Sequence, residues 1–488
     1  MEFSIIEIGR AFKKGNVKDE ILEFRNGINL IEGKPNTGKT TWLQCLNFLL
    51  GAESSPEHYF PVNFLSKYRS IRGGFVANGT VIETYRDWTR PGKKSKVFLN
   101  DVPMDSEEFQ AALMNILNIP NLKYPKTDPV SEVKAISLSF RMHFRHIYRQ
   151  QKYWGDIVDR QPAGEFRACL LNFIGIAERI FTEKYYLFYE LSDKLKKANE
   201  AFATDLKVLR LITPKLMADT YDKDTKQSVI DSFEEMAKKA KKKLNEANKD
   251  IDRLGDILFK ADLSKLNQTE LRLYIKEFGE CQKTKGLMEE RLRTFERLEP
   301  VVKDFHINKK NVEDLTFKIE PLYDHVKMWE DTTEIDEKLN TICRGMNLYL
   351  QHLNKLNPQT WRHGIVNMVC TRSYISLRID NNFWSTILGG TDSLYFLLSY
   401  HYGLLHASIS NGFNIPSLFV IDLPPDIYGN DLLKNESFVM QPFVELLSDP
   451  AYEHCQVIFS GHNPNDFKNC NRIHLSEEFL AVQNPYSQ

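Results

Sequence analysis

Seven cysteines are scattered over 488 residues and no two stand as a CxxC pair. A cysteine-rich zinc site is therefore excluded and a disulfide framework disfavoured, so the thiols read as ordinary reduced side chains. No apolar run approaches the roughly 20 residues that cross a bilayer. The opening MEFSIIEIGR has an acidic second residue and passes directly into a strand-like pattern, so a cytoplasmic protein without a membrane segment is expected. An excess of one charge is missing too. Lys plus Arg number 64 against 65 for Asp plus Glu, so no overall basic field advertises nucleic acid, and any DNA contact must use a local patch. What is plentiful is apolar residues, 42% of the chain, enough for a sizeable core and against disorder.

The texture changes twice along the chain. Residues 1–177 mix short apolar runs, FSIIEI, GINLIEG and GTVIETY, with Asn-Gly and Arg-Pro-Gly turns, a strand-and-helix pattern that reads as half of an α/β domain. From 178 to 345 Gly and Pro become rare and apolar residues recur at helical spacing among Lys, Glu and Asp, which predicts an antiparallel helical coiled-coil arm. Its turn is expected near 261–269, with one break per half, at Pro214 on the way out and at Pro300 with HINKK, 306–310, on the return. Residues 346–488 resume the strand texture. Their SLFVID and CQVIFSG runs have the continuous apolar character of a covered parallel sheet.

The strongest motif is GKPNTGKT. Gly33, Lys34, Pro35, Asn36, Thr37, Gly38, Lys39 and Thr40 fill GxxxxGK[ST] without a mismatch, after the strand-like GINLIE and before the helix-like TTWLQCLNFLLG. In this context the glycines let backbone N–H groups close around phosphate oxygens at a helix N-terminus. Lys39 supplies charge to the β and γ phosphates, Thr40 a hydroxyl to Mg²⁺, and Thr41 opens the helix. ATP and Mg²⁺ are the cofactors this implies. A P-loop enzyme also needs a carboxylate at the end of an apolar strand, and SLFVIDLPPD puts Asp422 there. Nearly the whole chain separates Lys39 from Asp422, with the predicted arm between them, so the nucleotide-binding head is expected to be split in sequence.

The order of P-loop, helical arm, LGGTDS, apolar strand with Asp422, and IFSGH resembles the ABC ATPases of the SMC and Rad-type DNA-repair group. The resemblance implies an ABC-type P-loop head assembled from the two terminal segments, which dimerises around ATP and acts on DNA. It implies that Leu388, Gly389, Gly390, Thr391 and Asp392 form the signature loop that closes over the partner's nucleotide, although Gly389 replaces the usual serine and Thr391 the second glycine. It implies a phosphate contact at His462 and a glutamine, Gln150 or Gln151 in RQQK, beside the magnesium held by Thr40 and Asp422. Within that group, P-S-L-F-V-I-D-x-P and the short arm resemble the SMC-like ATPase subunit of bacterial antiphage systems of the Lamassu or ABC-three-component kind. That implies a helper subunit and an effector nuclease. One departure bears on mechanism: the glutamate that usually follows the magnesium-side aspartate is Leu423, so hydrolysis is expected to be slow or partner-dependent. Asp426 stands close enough in sequence to substitute, and the rival reading is a nucleotide-gated scaffold or sensor with little or no hydrolysis. Two basic clusters compete for DNA phosphates, Lys238–Lys243 on the arm and Arg141, Arg145, Arg149 and Lys152 near the head. For the arm lysines a solvated helix face is the more ordinary reading, and the head cluster competes equally as a DNA candidate. Cys281 stands alone in the returning half, so the CxxC zinc hook of Rad-type arms is excluded.

Overall fold

The computed structural model describes the whole chain except residues 14–17, 35–36, 54, 127–133, 217–232, 261–266, 331, 372–373, 425–437, 462–469 and 477–488. Its contacts divide the chain into two units, Met1–Leu187 with His325–Gln488, and Phe188–Asp324.

The first unit is built on a five-stranded parallel sheet drawn from both ends of the chain. Its order is Tyr148–Arg149, Leu418–Asp422, Gln456–Ser460, Gly27–Gly33 and Cys470–Leu475. The runs LFVID and QVIFS are buried at every position, as strands covered on both faces must be. Register aligns the strand ends: Asp422 pairs with Ser460, and Ser460 with Ile31 two residues before Gly33. The phosphate-loop residues, Asp422 and Ser460 are thereby brought to the carboxyl edge of one sheet, where α/β sheets place their ligands. Gln456 ties this sheet to the N-terminal strand Phe3–Phe12, accepting from the Ile5 N–H at 2.8 Å and donating to the Ile5 carbonyl at 2.9 Å.

A six-stranded antiparallel sheet lies alongside, in the order Glu20–Glu23, Phe3–Phe12, Tyr68–Ala77, Thr80–Asp87, Val97–Leu99 and Val102–Met104. The P-loop helix, Lys39–Leu49, touches strands of both sheets and buries Trp42, Leu43, Cys45, Leu46, Phe48 and Leu49. Two arginines from the antiparallel sheet brace it. Arg10 stacks its guanidinium 3.6 Å from the Trp42 ring while pairing with Glu20. Arg86 lies 3.6 Å over Phe48 and donates to the carbonyls of Phe48 and Glu53 at 3.1 and 2.6 Å. Cation–π stacking of desolvated arginines contributes on the order of 2 kcal/mol each.

The helix Thr333–Leu356, in the stretch where the sequence predicts arm, belongs to this first unit and packs along the helix Gly390–Ala407. The two backbones approach closely at Gly345 and Gly403. A Cβ on Gly403 would sit 2.6 Å from the Ile342 carbonyl, and one on Gly345 2.9 Å from the Gly403 Cα.

The second unit is helical, as the sequence predicts. Phe233–Phe259 and Gln268–Ile319 pair over a core of Phe233, Ala240, Met288, Phe295 and Leu298. The helix beginning at Glu183 adds Leu209 against Phe305, with Phe202 stacked on Phe305 at 5.0 Å. The expected break at Pro300 and residues 306–310 is corrected by the structure, because Gln268–Ile319 is one continuous helix with Pro300 inside it. Pro300 removes one helical hydrogen bond, but Leu298, Val301, Val302 and Phe305 around it pack into the two apolar clusters and hold the backbone helical. The interruption comes later, at the 3₁₀ turn Glu320–Leu322. The helix Glu183–Leu216 likewise runs past Pro214. Of the expected turn, residues 261–266 lie outside the described residues, and Asn267 begins the next helix as the acceptor of a capping box with Glu270 at 2.8 Å.

Candidate nucleotide site

The P-loop follows the strand Gly27–Gly33 and ends at Gly38, whose φ of +87° caps the helix in the left-handed region that only glycine enters freely. Gly33 has no room for a side chain: a Cβ would meet Thr37 Oγ1 at 2.6 Å and the Leu475 carbonyl at 2.7 Å. Thr37 closes the turn by donating its hydroxyl to the Lys34 carbonyl at 2.9 Å. Pro35 and Asn36, at the crest of the loop, lie outside the described residues. Lys39 folds back over the loop, donating to the carbonyls of Gly33 and Lys34 at 2.7 and 2.9 Å. Burial lowers its ammonium from the usual lysine range, and the Asp422 carboxylate opposes that effect. Thr40 and Thr41 occupy the first helical turn.

Asp422 ends its strand 2% exposed. Burial pushes its carboxyl up to about 6, against the stabilising effect of hydroxyls from Ser460 and Thr40, the charge of Lys39 and the Gln151 backbone N–H. Thr40 Oγ1 also stands 3.4 Å from the Gln151 amide oxygen. A hydroxyl has one proton to donate, and the buried carboxylate is the stronger acceptor. A cavity of ≈ 380 Å³ lies over these groups, lined by Thr40, Gln44, Tyr148, Gln150, Gln151, Lys152 and Asp422. Both candidate glutamines thus border it, and Gln151 is the one whose amide oxygen points at Thr40. The segment is fixed from behind, because Trp154 Nε1 donates to the Asp422 carbonyl at 3.2 Å.

These donors suit a hard divalent cation. A hydroxyl, one carboxylate and an amide oxygen are ligands magnesium accepts while keeping waters and phosphate oxygens for its remaining positions. Thr40, Asp422 and Gln151 would hold it. The backbone N–H groups of Gly38, Lys39 and Thr40 at the helix start would receive phosphate oxygens.

Other predicted residues lie elsewhere. None of Leu388–Asp392 lines the cavity. They lie at the start of the helix Gly390–Ala407, with Gly389–Thr391 exposed and Leu388 and Asp392 half-buried; Gly390 has φ +53° and Asp392 contacts His363 Nε2 at 2.9 Å. His462 and Asp426 lie outside the described residues. Leu423, the residue after Asp422, is 3% exposed, a buried alkyl chain.

Arg149 is removed from the DNA candidates. Its guanidinium is 3% exposed and donates to His401 Nε2 at 3.0 Å, to the Tyr153 and Asp156 carbonyls at 2.7 Å, and to the Ile157 carbonyl at 2.5 Å. Arg145 pairs with Glu165 at 3.2 Å. On the arm, Lys238, Lys239 and Lys241–Lys243 are exposed around the buried Ala240, and Lys239 is paired with Glu235, an ordinary solvated helix face. Residues that sequence reasoning missed are Ser460, Trp154 and His401. Each acts through a contact between segments far apart in the chain, and no local pattern marks it.

No family model matches the chain, and no curated protein does. Among solved structures, the chain is similar to the Smc head domain with a coiled coil and joint from Pyrococcus yayanosii, at 14% identity and a TM-score of 0.42, covering 94% of this chain and 92% of that one. The Smc head with an extended coiled coil bound to the C-terminal domain of ScpA, from Pyrococcus furiosus, matches at 12% identity and a TM-score of 0.41, covering 94% and 89%. The recombination mediator protein RecF with ATP matches at 13% identity and 0.33, covering 97% and 98%. The fold assignment stands on the sheet order and the P-loop: an α/β head assembled from N- and C-terminal segments, with an inserted antiparallel helical arm.

Proposed function

We propose that the protein is an SMC-like ABC ATPase whose head binds ATP with Mg²⁺, the P-loop taking the phosphates and Thr40, Asp422 and Gln151 the metal. The observation that supports this is convergence: Thr40, Gln151 and Asp422, from three distant stretches of the chain, border one cavity at the carboxyl edge of the parallel sheet, and Lys39 lies in the field of the Asp422 carboxylate. In this reading the segment Leu388–Asp392 completes the nucleotide site of a second copy, so that ATP draws two heads into a dimer. Action on DNA, a helper subunit, control of an effector nuclease and a role in antiphage defence belong to the same proposal, and rest on the sequence resemblance alone.

Lys39→Ala removes the cation that offsets triphosphate charge, and isothermal titration with ATP and Mg²⁺ is expected to show binding by the wild type and none by the variant. Equal affinities would overturn the assignment. A second reading, a nucleotide-gated scaffold that binds ATP with little or no turnover, is favoured by Leu423. Its buried alkyl chain can neither orient nor deprotonate a water.

A further inference from the structure

A second cavity, ≈ 350 Å³, shares Gln44, Tyr148, Gln150 and Lys152 with the wall of the nucleotide cavity but extends away from the P-loop. Arg141 lines it. The guanidinium has no ion pair or hydrogen bond among the described residues, and its Nη1 is out of reach of solvent without a partner. The Phe144 ring lies 5.2 Å away, and Tyr59, Tyr148 and the like-charged Arg145 are close enough to act on it electrostatically. Arg141 is half-buried, and a guanidinium nitrogen withdrawn from water without an acceptor is costly, so its presence calls for an anion. The surroundings supply more donors. Tyr59 accepts from Asn47 Nδ2 at 2.8 Å, which leaves its own O–H to give. Lys152 and His58 are exposed at the margin, and Arg145 keeps further N–H groups beyond the one it gives to Glu165. The one acid on the wall, Asp159, sits in the field of Arg149, and its Oδ1 is withdrawn from solvent without a hydrogen-bond partner among the described residues.

We infer that this cavity is a second anion site, built for a phosphate monoester or free phosphate and centred on Arg141, with Tyr59, Arg145 and Lys152 as further donors. A monoester dianion presents three free oxygens and can be enclosed from one side. An internal phosphodiester has two and carries a sugar on either flank, so the interior of a duplex does not fit a pocket of this size. The ligand chemistry is shared by a free nucleotide and by the terminal phosphate of a nucleic-acid strand. The shared wall puts the occupant next to Gln150, in the segment that borders the magnesium position, so occupancy here is felt at the nucleotide site. The inference goes beyond the ATPase assignment and survives its failure.

The test uses the full chain carrying Lys39→Ala, so that the P-loop does not compete, with inorganic phosphate as the probe followed by isothermal titration or ³¹P NMR. Saturable binding is expected, and a charge-assisted hydrogen bond lost in Arg141→Gln should weaken it about tenfold or more. Lys152→Gln, at an exposed position that does not endanger folding, should weaken it several-fold. Competition then identifies the source: displacement by adenosine monophosphate marks a free nucleotide, displacement by a 5′-phosphorylated oligonucleotide marks a strand end. Absence of saturable phosphate binding, unchanged affinity in both variants, or equal competition by a 5′-hydroxyl oligonucleotide would overturn the proposal. ATP affinity of the Lys39-intact chain, measured separately, reports on the P-loop alone.

Discussion

Asp422→Asn separates what the carboxylate proposed to hold magnesium does for binding from what it costs the fold. The carboxyl is held at about 6 against an ordinary 3.8, chiefly by burial. Raising an acid's pKa in the folded state means the folded protein binds the proton more tightly than the unfolded chain does. Stability is therefore full below about 3.8, declines as pH rises toward 6, and is lower by a constant amount above that. At about 1.4 kcal/mol per pH unit the difference is roughly 3 kcal/mol, little discounted for solvent because the side chain is 2% exposed. The asparagine keeps an oxygen to accept from Ser460 and Thr40 and carries no charge. The nucleotide-free variant is therefore expected to be more stable than wild type at pH 7 by a sizeable part of that figure, or about 5 °C in midpoint at roughly 2 °C per kcal/mol for a large domain. The advantage should shrink toward zero near pH 4, while the Mg²⁺-dependent part of ATP affinity is lost at every pH. In wild type the same logic makes Mg²⁺·ATP binding weaken below about pH 6, as metal must displace a proton. Thermal unfolding by circular dichroism at several pH values, without nucleotide, measures the first effect and titration calorimetry the second. A variant less stable than wild type at pH 7, or a stability difference independent of pH, would refute the claim that Asp422 is a destabilising charge retained for its ligand.

Turnover by the isolated wild-type chain should fall well below the median enzyme rate of about 10 per second, since a positioned base contributes roughly 10²- to 10⁴-fold; steady-state phosphate release checks it, and a rate near the median would place the base elsewhere. Leu423→Glu puts a carboxyl where 3% of the side chain is exposed, so it should lower the unfolding midpoint by an amount worth about 1–3 kcal/mol, read by thermal denaturation with and without ATP. Gly403→Ala introduces a Cβ 2.6 Å from the Ile342 carbonyl and should destabilise the head by about 1–3 kcal/mol, measured by urea unfolding. ATP with Mg²⁺ should raise the mass seen by light scattering to that of a dimer, and Asp392→Ala or Gly390→Val should weaken that association more than ATP binding itself, as expected of residues that do not line the nucleotide cavity.

The class of fold and the phosphate loop were legible because both are written in short-range patterns. GKPNTGKT carries its own strand and helix, the all-apolar LFVID and QVIFS runs mark covered parallel strands, and heptad-like spacing marks the helices of the second unit. Continuity of those helices was not legible. Pro300 is locally a breaker, and only the apolar packing of Leu298, Val302 and Phe305 on neighbouring helices outweighs the lost hydrogen bond. Which of two adjacent glutamines faces Thr40 depended on where the short strand Tyr148–Arg149 ends against the aspartate strand, a matter of register. Arg141 and Arg149, near neighbours in one basic run, look alike in sequence. The tertiary structure gives Arg149 His401 and three carbonyls and leaves Arg141 Nη1 without a hydrogen-bond partner among the described residues, at a cavity wall. Sequence determines which groups are available and the local geometry of the loop that takes phosphate; pairing between segments far apart in the chain decides which buried charges are satisfied and which are left to meet a ligand.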